Sequence, residues 1–206
     1  IRMGLDGPGL SDLLAAPEID AAVMERVLLR HESGARVALA PAPGSAAPDA
    51  FGGLHPRPPR LLAYLDEQRF DVVLLDTRGT AGDLEGYLLE AVDHIYYIFT
   101  PTPCGIFDLY RGVAALRRAG HRAKLRLVLN HASAGVDMTE VLGDIRMKTV
   151  AEIPTLPALA AAEHAHLPAC LSDDVISEVL LDLALSIHPE ALAGAPASRQ
   201  VAPVRR

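Results

Sequence analysis

The stretch HIYYIFTPTPCGIFDLYRGVAALRRAGHRAKLRLVLN, residues 94–130, decides the fold. Its opening run is rich in aromatic and β-branched side chains and predicts a strand over 94–100. IFDLYRGVAALRRAG (106–120) then reads as a helix that stops at Gly120, and KLRLVLN (124–130) returns to the strand pattern. Strand, helix and strand in this order form a right-handed crossover unit, which sets the two strands parallel.

The same alternation extends outward in both directions. Upstream, RLLAYLDEQ (60–68) predicts a helix, FDVVLLD carries an unbroken apolar run at Val72–Leu75 that fits a strand buried on both faces, and DLEGYLLEAV (83–92) predicts another helix. Downstream come a short helix at 138–143, a strand at MKTVAEI (147–153) and helices at 157–166 and 173–187. Nearer the start, DAAVMERVLLRH (20–31) predicts a helix with Val23, Met24, Val27 and Leu28 on one face and Gly34 as its stop. ARVALA (35–40) follows as a short strand, and no regular element is recognisable before residue 20. Six prolines and three glycines make 41–59 a loop, and residues 189–206 read as a tail. The expected fold is α/β, a mainly parallel sheet between helical layers, occupying residues 1–188.

Composition narrows the classes of function. The chain has 206 residues, half of them apolar, enough for one domain with a packed core. A net charge of −7 with no basic block argues against non-specific nucleic-acid binding, which requires neutralised phosphates. Cys104 and Cys170 stand far apart in no CxxC pattern, so no disulfide framework or multi-cysteine zinc site is expected, and a reducing cytoplasm is the simpler setting. No apolar run reaches the length of a membrane span. Lys124 and Lys148 are the only lysines, and neither sits in a glycine-rich loop.

In an open parallel sheet, ligands bind beyond the carboxyl ends of the strands, so the residues ending each predicted strand are the candidates. They are Asp76, followed by Thr77-Arg78-Gly79; Thr100 before Pro101; Asn130; and Pro154. All are expected on one edge. An acid directly after a buried strand can hold magnesium through its water shell, and a glycine three residues on lets a backbone amide approach a phosphate. A plain turn-capping role for Asp76 is the alternative. Asn130 offers an acceptor and a donor, the pair needed to read an adenine edge, although Asn is equally at home in a turn.

These segments together resemble the MinD/ParA family of P-loop ATPases, and within it the CpaE/TadZ branch of Tad-pilus assembly proteins. The resemblance rests on residues 4–42, RFDVVLLDTRG (69–79), 93–120, LRLVLNHASAGVDMTEVLG (125–143) and VAEIPTLPALAAAEHAHLPA (150–169). It implies Asp76 as the magnesium-associated Walker B acid, Gly79 near the terminal phosphate, and Asn130 with Pro154 around adenine. It further implies ATP and magnesium as ligands, a homodimer, and pilus machinery as the partner, reached at a cell pole from the cytoplasm. Residues 100–110 also resemble flagellar-number regulators of the FlhG/FleN type.

The departures carry weight as well. The family's glycine-rich loop, with its phosphate-binding lysines and its Ser/Thr ligand, is absent, and the likeness at Gly4 opens in mid-motif. The expectation is a fragment whose amino-terminal strand and P-loop are missing and which does not hydrolyse ATP alone, because phosphoryl transfer is mostly electrostatic stabilisation. A degenerate relative serving as a nucleotide-free scaffold is the alternative. His131 stands where the family has Arg or Lys, and Arg78 where proline is common. His164, His166 and Cys170 do not make a metal site, since only the last two share a helical face. VISEVLLDLALSIH (175–188) is apolar round most of its girth and acidic elsewhere, which favours a core helix over a membrane anchor.

Overall fold

The computed structural model describes residues 5–31, 33–39, 57–68, 70–77, 83–132, 136–164, 170 and 174–189. They group into two compact units, the first holding the described residues up to 95 together with 163–164, the second the described residues of 96–162 and from 170 on.

The first unit opens with helices α1 (Leu10–Ala15) and α2 (Ala21–Val27). Helix α1 lies where no element was expected; the Asp12 carboxylate fixes its start by accepting the Gly9 N–H at 2.9 Å. Asp20 caps α2, its carboxylate accepting the Val23 N–H at 2.8 Å. Leu13, Met24 and Val27 are fully buried together, with Leu61, Tyr64 and Leu65 of α3 (Arg57–Glu67) packed against them. Helix α3 begins inside the predicted 41–59 loop; Pro58 and Pro59 are tolerated because first-turn N–H groups have no intrahelical partner. Residues 40–56 lie outside the described residues. Helix α4 (Asp83–Ala91) follows as the sequence predicts.

Two expectations fail in this unit. The helix foreseen over 20–31 ends at Val27, and Leu28–Arg30 forms strand β1, which pairs antiparallel with β2 (Arg36–Ala38). Gly34, at φ 90°, closes the hairpin, while the His31 N–H bonds the Ala35 carbonyl at 2.9 Å. A short apolar run such as Val27–Leu29 satisfies either period, and pairing with β2 decides between them. The second failure is the run at 72–75. Among the described residues 70–77 no strand forms, and Val72, Val73 and Leu74 are exposed, Leu74 by 73%. Unbroken hydrophobicity marks a segment able to be buried on two faces, but sheet neighbours must supply that burial.

Apart from Ile95, the second unit holds the parallel sheet, in order β3–β4–β5, formed by Ile95–Phe99, Leu125–Ala132 and Thr149–Pro154. Helix α5 (Pro103–Arg118) crosses from β3 to β4 and α6 (Thr139–Asp144) from β4 to β5, followed by α7 (Pro157–His164) and α8 (Asp174–Ile187). Gly120, at φ 88°, ends the α5 region where the sequence placed the stop, although α5 begins three residues earlier than predicted, behind the Thr102 cap. Strand β4 is central, with Leu125, Leu127, Val128 and Leu129 buried. Alternation along β3 sends its two tyrosines to opposite faces. The Tyr96 hydroxyl donates to the Ser186 carbonyl of α8 at 2.9 Å, and the Tyr97 hydroxyl donates to the Asp108 carbonyl of α5 at 2.8 Å. The sheet is therefore flanked by helices on both faces, the three-layer α/β/α arrangement. Among the described residues no helix is long and apolar enough to cross a membrane. Residues 190–206 of the predicted tail lie outside the described residues.

Candidate functional site

The carboxyl edge of the β3–β4–β5 sheet collects three of the five candidate residues. In the β4–β5 register Asn130 pairs with Ile153 and Ala132 with Pro154, so Asn130 and Pro154 end neighbouring strands on one edge. The register shifts between Asn130 and Ala132, where His131 takes φ 56°, a left-handed conformation that is costly for a side chain with a Cβ. Asn130 stabilises it locally, its Oδ1 accepting the His131 N–H at 2.9 Å. The Thr155 N–H then bonds the Ala132 carbonyl at 3.3 Å, holding the residue after Pro154 against the bulge.

Thr100 follows directly on β3, the other neighbour of β4. Its Oγ1 lies 3.1 Å from Oγ1 of Thr102, which caps α5 by accepting the Gly105 N–H at 3.1 Å. Gly105 packs so closely that an added Cβ would come within 2.5 Å of Thr100 Oγ1 and collide with the Thr100 carbonyl oxygen. Thr102 and Gly105 thus set the position of Thr100, and the sequence reading did not single them out. The available signal was a threonine cap followed three residues later by glycine. A cavity of about 280 Å³ opens here, lined by Tyr97, Ile98, Phe99, Thr100, Gly105 and Asp108. Burial raises the Tyr97 phenol above its ordinary range, with nearby Asp108 adding to the shift and Arg111 opposing it. Tyr97 is therefore a neutral hydrogen-bond donor here rather than a base.

Asp76 is exposed and belongs to the first unit, in a segment without regular secondary structure rather than after a strand. Gly79 lies outside the described residues.

These residues can be tested against the ligands that the fold implies. Asn130 Oδ1 keeps a second lone pair and the side-chain amide has two hydrogens, so one acceptor and one donor remain compatible with an adenine edge. The triphosphate fits less well. Lys124 directly precedes β4 and Lys148 directly precedes β5, which puts both lysines at the opposite edge of the sheet from Asn130 and Pro154. Asp76 contributes a single hard-oxygen donor, suited to magnesium only through water, and no group of three or more His, Cys, Asp or Glu side chains among the described residues could hold a metal. His164 ends α7, Cys170 is exposed, and His166 lies outside the described residues.

No family model matches the sequence, and no curated protein matches it. Solved structures do. The ParA family ATPase from Chlorobium tepidum TLS is similar with a TM-score of 0.73 at 15% identity, covering 89% of this chain and 78% of that one. MinD from the MinC:MinD cell division protein complex of Aquifex aeolicus gives a TM-score of 0.68 at 16% identity over 100% of this chain and 80% of that one. The Aquifex aeolicus MinD cell division protein also gives 0.68 at 16%, with 100% and 81% covered. The fold is α/β and resembles that of these MinD and ParA family structures.

Proposed function

We propose that this chain carries the base-recognising part of an adenine-nucleotide site in a MinD/ParA-like switch ATPase, and that the assembled switch positions Tad-pilus machinery. The observation that supports the reading is the β4–β5 register, which sets Asn130 beside Ile153-Pro154 at the carboxyl edge of a sheet with this fold. Asn130 reads the adenine edge, Pro154 packs against the ring, and Thr100 bounds the site from the β3 side. Asp76 holds the magnesium shell and Gly79 meets the terminal phosphate. With ATP and magnesium bound, two copies of the chain would join, and hydrolysis would separate them. Because both lysines lie at the far edge, phosphate charge must be met by groups outside this sheet, and the chain alone does not turn ATP over.

One observation favours a second reading, a nucleotide-free scaffold. Asn130 already has a structural task, bonding the His131 amide, so its presence does not require a ligand.

A fluorescent ATP analogue with magnesium, titrated into this chain and into a version extended upstream, each with and without Asn130→Ala, separates the two. The switch reading expects saturable binding by the extended version that weakens at least tenfold when Asn130 is Ala, together with nucleotide-dependent dimerisation in light scattering. Absence of binding by every version overturns it in favour of the scaffold. Capture with pilus rather than flagellar assembly proteins tests the organelle assignment.

A further inference from the structure

Helices α5 and α8 cover opposite faces of the β3–β4–β5 sheet, and each turns an exposed side outward. On α5, helical spacing gathers Phe107, Arg111, Ala115 and Arg118 within an arc of about 80°, and all four are exposed, Phe107 by 60%. The Arg111 guanidinium lies over the Phe107 ring, 5.5 Å from its centroid, so cation and aromatic surface form one patch. Among the described residues Arg118 has no ion-pair partner, nor has exposed Arg122 in the 3-10 turn that follows. Asp108 is the one acid of this helix.

Helix α8 carries the opposite charge. Asp174, Glu178 and Asp182 follow one another at i, i+4 spacing, all exposed, and the helix contains no Lys or Arg. Like charges at that spacing destabilise a helix unless something meets them. Among the described residues none of the three has an ion-pair partner. Exposed apolar side chains flank the row, Leu181 by 43% and Val175 by 58%. The two faces also match in length. Arg111 and Arg118 stand about 10.5 Å apart along α5, and Asp174 and Asp182 about 12 Å apart along α8. With the helices antiparallel, Arg111 meets Asp182, Arg118 meets Asp174, and Phe107 falls opposite the partly exposed Leu185. The small Ala115 then lies opposite Glu178 and lets the helix axes approach.

We propose that α5 of one copy packs on α8 of another, which joins copies of this chain head to tail. The two patches differ and lie on opposite faces of the sheet, so the contact is heterologous: every added copy leaves one α5 face and one α8 face open, and growth continues instead of closing at two. Pairing α5 with α5, or α8 with α8, would bring like charges together. The net charge of −7 opposes close approach in every orientation except those that set an arginine face against an acidic one. One helix pair makes a smaller contact than a standard interface, so assembly is weak and rises with concentration. Neither the strand ends nor nucleotide take part, which separates this contact from the nucleotide-dependent dimer proposed above.

The test is sedimentation velocity of the full chain without nucleotide, over a rising concentration series. The parent should pass through dimers to larger species. R111E/R118E and D174K/D182K, whose altered side chains are all exposed, should each need about tenfold or more higher concentration to associate. D174K/D182K is the sharper of the two, because it makes the chain less negative and would promote any association limited by net charge. An equimolar mixture of the variants should assemble again, since each reversed face then finds its complement, and that recovery also shows both to be folded. Circular dichroism checks each variant singly. A parent that stays monomeric or stops at a dimer, a D174K/D182K protein that associates as the parent does, or a mixture as inert as its folded components overturns the proposal.

Discussion

Replacing Gly105 by Ala tests how tightly β3, the α5 cap and Thr100 are joined. A Cβ at Gly105 would lie 2.5 Å from Thr100 Oγ1 and 3.1 Å from Thr102 Oγ1, besides meeting the Thr100 carbonyl oxygen. The threonine hydroxyls could turn away, but the carbonyl belongs to the backbone and moves only if the end of β3 moves. Overpacking of this kind costs about 1–3 kcal/mol. Alanine recovers up to ~1 kcal/mol of helix propensity, less in a first turn, so Gly105→Ala should destabilise the chain by about 1–2 kcal/mol. Gly86 in α4 is the control, since an added Cβ there has nothing within 4 Å. Gly86→Ala should therefore stabilise by about 0.5–1 kcal/mol. Urea unfolding at equal slopes reads both, with the Gly105→Ala midpoint lowered by roughly 0.5–1 M and the Gly86→Ala midpoint raised. A Gly105→Ala protein as stable as the parent would show that the close approach does not fix Thr100.

Leu127→Ala removes a fully buried side chain from the central strand and should cost about 2–5 kcal/mol in the same assay. Asp20→Ala removes the α2 cap and should cost about 1 kcal/mol, visible as a lower thermal midpoint. Hydrogen bonds from Thr139, through its side chain and its backbone N–H, hold the Asp137 carboxyl below its ordinary value of 3.8. A depressed folded-state value contributes stability that is complete above the unfolded value and fades as the pH falls through 3.8 and below. The difference in thermal midpoint between the parent and Asp137→Asn should therefore shrink on acidification below that point, and a constant difference would contradict the assignment.

Much of the second unit was legible because its signals are local. The β-rich run at 94–100, Gly120 after a helical stretch and the apolar run at 125–129 each report their own conformation, and β3, α5 and β4 appear where they point. The first unit was harder. Leu28–Arg30 joins a strand because Arg36–Ala38 is there to pair with it, and residues 72–75 lack a strand because hydrophobicity alone supplies no neighbour. The same division runs through the site. That Asn130 and Pro154 end adjacent strands follows from the crossover rule. The bulge at His131, the bond that engages Asn130 Oδ1 and the contact of Gly105 with Thr100 depend on distances that sequence patterns do not carry.

The most direct test of the nucleotide-edge account is the change in backbone amide chemical shifts when magnesium ATP is titrated into the chain, both as it stands and extended upstream. The account predicts that Thr100, Asn130, His131 and Thr155 move together, and move more with ATP than with GTP. Shifts gathered instead around Lys124 and Lys148 at the opposite edge, or an unchanged spectrum in both versions, would contradict it.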